Sequence, residues 1–197
     1  MVIGISVLAA LFWNRNVTVQ EVKVSGLHFT PYEQVKQAAA VPMDIKPDSL
    51  NLAEVVQRVK QLDYIRTVTP YIEPNGDLQL NVEERQPIAL LVDVAGRKYV
   101  DSEGVQLPIL EDKIQDVPIL YGYSSLSSDT IQTASFKQVS QFLQAARQDV
   151  FGWATISEVV FDEQEGVVAL SQENGVKLIF GRNDFKLKLE NWKAFYT

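Results

Sequence analysis

The chain has no cysteine, one histidine and two methionines. Each shortage removes a class of chemistry. Without cysteine there are no disulfides and no thiolate metal sites, and His28, alone and without a carboxylate pair beside it, cannot assemble a zinc site; it suits a turn between strand and helix. Positive charge is also scarce: 18 Lys and Arg stand against 25 Asp and Glu, a formal net charge of −7. No basic half is hidden in that total, since residues 17–85 carry seven against ten and residues 86–197 carry ten against fifteen. Nucleic-acid binding, which draws its affinity from displaced counterions, is therefore excluded. Catalytic signatures are missing too: there is no Gly-x-Ser-x-Gly, no His-Glu-x-x-His and no phosphate-cradling glycine loop. Glu83 and Glu84 are neighbours, but adjacent strand residues point to opposite faces and cannot converge on one substrate atom. Glu84-Arg85 is expected to be a charge pair at a strand end that steers the chain out of the first domain. No catalytic residue, metal, cofactor or small-molecule substrate is expected.

The chain also lacks an apolar run long enough to cross a bilayer. Residues 1–13 are almost all apolar, and Trp13-Asn14-Arg15-Asn16 looks like an interfacial end. Thirteen helical residues nevertheless reach only about 20 Å against a hydrocarbon core of ~30 Å. A signal peptide would carry a basic start and a small-residue cleavage site, and neither is evident. The expectation is a truncated transmembrane segment over residues 1–16, the outer half of an anchor.

What the chain does have is a regular order of elements after residue 17. Val17, Val19, Val22 and Val24 lie in an extended pattern closed by Gly26. Thr30-Pro31-Tyr32-Glu33 is expected to start a helix, with Thr30 as cap, Pro31 at the first helical position and Glu33 reaching back. Asn51 and Glu54 repeat the arrangement before Leu52, Val55, Val56, Val59 and Leu62, an apolar stripe at helical spacing that must cover a sheet. Residues 65–73 and 78–84 form a hairpin about the turn Pro74-Asn75-Gly76-Asp77.

Past Pro87 the chain turns β-rich. Strands are expected over residues 88–94, 97–101, 105–107 and 118–121. Phe136, Val139, Phe142, Leu143 and Ala146 then keep helical spacing. Residues 156–161, 167–171 and 176–180 make a three-strand meander, with Asn174-Gly175 a strong hairpin signal. A last helix follows Asn183-Asp184, with Phe185, Leu189, Trp192 and Tyr196 along one face. Gly181-Arg182-Asn183-Asp184 is either an anion-binding helix start or a turn with its cap. Trp192 and Tyr196 are either core or partner-facing.

Several short motifs in this order resemble bacterial FtsQ/DivIB cell-division proteins. They are Val22-x-Val24-x-Gly26-Leu27, Ser49-Leu50, the run from Val82 through Glu84-Arg85-Gln86-Pro87 to Ala89, Tyr99-Val100-Asp101-Ser102-Glu103-Gly104, Val117-Pro118-Ile119-Leu120-Tyr121-Gly122 and Ile179-Phe180-Gly181-Arg182-Asn183-Asp184. One departure is Asp63-Tyr64-Ile65, where the family usually carries a Pro-Trp-Val-like triplet. The resemblance implies an α+β chain: a membrane-anchor remnant over 1–16, a β-α-α-β-β POTRA domain over 17–86, and a mixed antiparallel β domain with flanking helices over 87–197. It also implies a closing strand after the last helix, with nothing here corresponding to it.

The function it implies is that of a non-enzymatic divisome scaffold. Such a protein sits at the septum as a single-pass protein of the inner membrane, with its bulk outside the cytoplasm. It would bind FtsB/DivIC-like and FtsL-like partners by strand addition at the edge of that closing strand, so without it binding is expected to be poor; on the surface that is present, Lys177, Ile179, Arg182, Trp192 and Tyr196 are the candidate contacts. The alternative is a POTRA-type chaperone module for outer-membrane protein assembly or secretion, binding client strands by edge addition.

Overall fold

The computed structural model describes residues 17–94, 96–124 and 129–196. The anchor expected over residues 1–16 lies outside that set. Among the described residues no helix is long and apolar enough to cross a membrane. The chain divides into two compact units, Met1–Arg85 and Gln86–Thr197.

The first unit runs β1 (Val22–Ser25), α1 (Tyr32–Ala39), a single 3-10 turn (Pro47–Ser49), α2 (Leu52–Val59), β2 (Ile65–Ile72) and β3 (Leu78–Glu84). The sheet order is β1-β3-β2, with β1 parallel and β2 antiparallel to the central strand. Val35 and Ala39 of α1 and Val55 and Val59 of α2 bury against Val22, Ile65, Val68, Leu78, Leu80 and Val82. The axis of the α2 stripe is therefore Val55–Val59, with Leu52, Val56 and Leu62 half-buried on its flanks. Asn51 caps α2 as expected, its side-chain oxygen accepting from the Glu54 amide at 3.2 Å.

Thr30 does not cap α1. That helix begins at Tyr32 with Pro31 in the capping position and no side-chain cap, one residue later than expected, and the Thr30 amide that Glu33 would have reached is committed elsewhere. The carboxylate of Glu84 accepts from three successive amides: His28 at 2.6 Å and Phe29 at 2.7 Å on Oε2, and Thr30 at 2.7 Å on Oε1. Strand alternation produces this arrangement. Leu78, Leu80, Val82 and Glu84 all point inward, and the last inward position carries a buried carboxylate beneath the β1–α1 turn. Glu84 is thus an interior anchor, not the surface charge pair expected at the strand end. Glu83 points outward, where Arg66 pairs with it at 3.0 Å. At Gly26 the backbone takes φ +86°, and a Cβ there would stand 1.9 Å from the Val82 carbonyl oxygen. Only glycine permits that approach.

The strand expected over residues 17–26 pairs with β3 only across Val22–Ser25. Ahead of it Val19 bonds elsewhere, donating to the Ile45 carbonyl at 2.9 Å and accepting from the Asp44 amide at 2.8 Å.

The second unit runs β4 (Pro87–Asp93), β5 (Gly96–Asp101), β6 (Gln106–Leu107), β7 (Ile119–Tyr121), α3 (Ala134–Gln148), α4 (Val150–Thr155), β8 (Ile156–Asp162), β9 (Gly166–Ser171), β10 (Lys177–Gly181) and α5 (Phe185–Tyr196). These strands form one seven-stranded sheet in the order β10-β9-β8-β7-β4-β5-β6. The sheet is mixed, since β7 lies parallel to both β4 and β8. The expected meander is its β8-β9-β10 side. Helix α3 lays Phe136, Val139, Phe142, Leu143 and Ala146 on one sheet face, against Leu91, Val100, Leu120, Val159, Val167, Ala169 and Phe180, and α5 adds Phe185 and Leu189 to the same core. Helix α4 was not expected: its six residues are too few to show a period, and Asp149 caps it by accepting from the Phe151 amide at 3.0 Å.

Candidate partner-binding edge

Strand β10 ends the seven-stranded sheet on one side, among the described residues. Its hydrogen-bonding phase follows from one bond: the Ser171 amide donates to the Val176 carbonyl at 3.0 Å. In an antiparallel ladder inward and outward groups alternate. The register Lys177↔Leu170, Leu178↔Ala169, Ile179↔Val168 therefore directs Leu178 toward β9 and turns the N–H and C=O of Lys177 and Ile179 to the free side.

Side-chain alternation adds an apolar row on the sheet face opposite the helices. The registers place Tyr121 beside Val160, Val160 beside Val168 and Val168 beside Ile179, and extend the row to Val92 through the β4–β7 pairing. Val168 is buried, but Ile179 is 57% exposed, Tyr121 41% and Val92 38%. An Ile more than half exposed on an edge strand is a good contact for an added chain.

The other expected contacts are distributed around this strand. Lys177 pairs with Glu165 at 2.5 Å across the meander. Arg182 is turned back: its guanidinium lies 5.0 Å above the Phe161 ring and donates to the Glu163 carbonyl at 2.5 Å. Its role in the structure is to fasten the β10–α5 turn, where Asp184 takes φ +55°. Over the same turn Lys188 Nζ donates to the carbonyls of Phe180 at 2.8 Å and Asn183 at 2.9 Å.

Trp192 and Tyr196 come together at the end of α5, ring centroids 5.3 Å apart, each also meeting Phe151 of α4. The indole N–H of Trp192 donates to Thr155 Oγ1 at 3.3 Å, which holds the ring half-buried. The Tyr196 hydroxyl donates to Glu173 in the β9–β10 turn, and that bond, with desolvation second, raises the phenol above its ordinary range. Phe195, 84% exposed, stacks on Trp192. Sequence spacing pointed to Trp192 and Tyr196 but not to Phe151, which reaches them from a helix too short to announce itself, nor to the Val92–Ile179 row, whose alignment needs the parallel pairings of β7.

The geometry defines an α+β protein of two units: a three-stranded sheet backed by two helices, then a helix-backed mixed sheet bounded on one side, among the described residues, by β10. The second unit matches a family model described as FtsQ/DivIB, C-terminal related, over residues 86–197. The first matches one described as POTRA domain, FtsQ-type, over residues 17–85. The chain belongs to the FtsQ/DivIB family of cell-division proteins. It is similar to a cell division protein FtsQ of Rhodothermus marinus, 28% identical over 209 residues, covering 100% of this chain and 76% of that protein. It is also similar to one from Salinibacter ruber, 31% identical over 144 residues, covering 68% of this chain and 56% of the relative. The extracytoplasmic domain of DivIB from Geobacillus stearothermophilus overlaps it with a TM-score of 0.40 at 17% identity, covering 57% of this chain and 91% of that domain; at that score it adds no argument.

Proposed function

We propose that the protein is a non-enzymatic divisome scaffold that binds FtsB/DivIC-like and FtsL-like partners by strand addition along β10. The carrying observation is the outward row of backbone groups at Lys177 and Ile179, beside an Ile179 that is 57% exposed. Strand addition takes its affinity from such a row and its selectivity from neighbouring side chains. Lys177 and Ile179 supply the edge, Trp192 and Tyr196 a flanking aromatic contact, and Arg182 holds the turn between them. The scaffold is placed at the septum on the outer side of the inner membrane, with the apolar residues 1–13 as its membrane attachment. The FtsQ-type character of the first unit favours this reading over a chaperone of outer-membrane protein assembly.

The test is Ile179→Pro. The Ile179 N–H faces away from β9, so proline there removes an edge donor while leaving the ladder to β9 intact. Calorimetry against the ectodomain of an FtsB/DivIC-type partner is expected to show affinity reduced more than about tenfold, roughly 1.4 kcal/mol, with an unchanged thermal melt. Unchanged affinity would overturn the edge. In cells, depletion should give filaments and alkaline phosphatase fused after Arg85 should be active; normal division would remove the septal role, and an inactive phosphatase the outward placement.

A further inference from the structure

The first unit also ends in edge strands, β1 and β2, and their chemistry differs from that of β10. The Glu73 amide donates to the Asp77 carbonyl at 2.8 Å, and the register continues Ile72↔Leu78, Tyr71↔Gln79, Pro70↔Leu80, Thr69↔Asn81, Val68↔Val82. Alternation then sends the bonds of Thr69 and Tyr71 inward to β3, and turns positions 68, 70 and 72 outward. The middle outward position is a proline. The β2 edge therefore offers donors at Val68 and Ile72 with none between them, and the ring fills the space where an added strand would place its carbonyl.

On the opposite edge the Leu78 amide donates to the Glu21 carbonyl at 2.9 Å. The same alternation turns Val22 and Val24 outward from β1. The Val22 carbonyl is already occupied, because the Tyr32 hydroxyl donates to it at 2.6 Å.

We propose that Pro70 and Tyr32 close the two edges of the first unit, so that this unit takes no partner by strand addition and does not pair edge to edge with a second copy. Pro70 acts by a missing donor and Tyr32 by engaging the outward Val22 carbonyl, which an added strand would otherwise use. The proposal is independent of which partner binds β10, since it concerns a different sheet.

The experiment is Pro70→Thr in the whole chain. Because the nitrogen at position 70 faces outward, the substitution breaks no ladder bond, and threonine suits a strand. Sedimentation should find the wild type monomeric and Pro70→Thr a concentration-dependent dimer, since two opened β2 edges pair antiparallel about a twofold axis. Hydrogen exchange on the dimer should show new protection at Val68 and Ile72, and none at Thr69 and Tyr71, whose amides already bond to β3. Adding Tyr32→Phe should carry assembly past the dimer, with both edges open. Pro70→Ala provides the same readout should threonine disturb folding. A monomeric Pro70→Thr, or association without protection at Val68 and Ile72, overturns the role of Pro70. Assembly past the dimer with Tyr32 intact overturns the role of Tyr32.

Discussion

Glu84→Ala removes the anchor on which the β1–α1 turn is built. The wild-type carboxylate accepts three amide bonds of 2.6 to 2.7 Å, lengths typical of charge-assisted contacts. Two of those amides, at Phe29 and Thr30, are buried, whereas His28 is exposed and can return to water. Each buried donor left without a partner costs about 1–3 kcal/mol. Water entering the vacated space recovers part of the sum, so about 3–4 kcal/mol is expected from the two. A unit of about 70 residues has roughly 4–10 kcal/mol of stability in total, so between about a third and nearly all of the first unit's margin goes with one side chain.

Glu84→Gln separates charge from shape. Its single carbonyl oxygen can still serve His28 and Phe29, but its NH2 then meets the Thr30 N–H, donor against donor. Its cost should be about half that of alanine. Both described tryptophans, Trp153 and Trp192, lie in the second unit. Hydrogen exchange under urea, read on peptides spanning residues 28–30 and 78–84, is therefore the assay that sees the first unit. A Glu84→Ala shift below about 0.5 kcal/mol, the range of an ordinary surface substitution, would refute the anchor. Equal costs for Gln and Ala would refute the division of labour between the two oxygens.

Two further outcomes follow from the first unit. Val55→Asp places an unpaired carboxylate where the wild-type side chain is fully buried, at a cost of several kcal/mol; thermal melting should lose the first unit's transition, while tryptophan fluorescence keeps that of the second. Coincident melts would show that Val55 is not on the core face. Asp77 is held below the ordinary carboxyl range, first by its bond with Lys23, so its stabilisation is full above the unfolded value of about 3.9 and fades as pH falls through the lower folded value. Acid titration of Asp77→Asn should therefore show a shallower loss below about pH 4 than the wild type, and parallel curves would exclude the Lys23–Asp77 pair as the cause.

What could be seen in the sequence was what is local. The β2–β3 hairpin rests on Pro74-Asn75-Gly76-Asp77, where the Asn75 side chain bonds Asp77 within the turn, and α2 rests on Asn51. Both signals lie within four residues of what they control. The α+β character and the order of the strands follow from such signals. Glu84 was hidden because its partners lie 54 to 56 residues away, and no spacing rule links a strand end to a distant turn. The parallel pairs β4–β7 and β7–β8 were hidden for the same reason: Leu90 pairs with Ile119 and Leu120 with Val159, strands separated in sequence with no turn signal joining them. Trp192 and Tyr196 were legible as a helical face. Whether that face is core depended on α4, which period alone could not reveal.

The edges show most clearly how far a sequence reaches. Pro70 can be read at once as a residue of an edge or a strand end, because a central strand has no place for it. Whether it blocks that edge depends on phase, and phase is set by the pairing of Glu73 with Asp77. Shifted by one residue, the same proline would remove a bond to β3 and leave the outer row complete. Strand β10 has no proline between Lys177 and Gly181, and its outward positions end in an exposed isoleucine. The two sheets thus present opposite answers to one physical problem, and Ile179→Pro asks the second to adopt the answer of the first. If that variant keeps its fold and loses its partner while Pro70→Thr keeps its fold and gains one, an outward proline is what separates the β2 edge from the β10 edge as a place for strand addition.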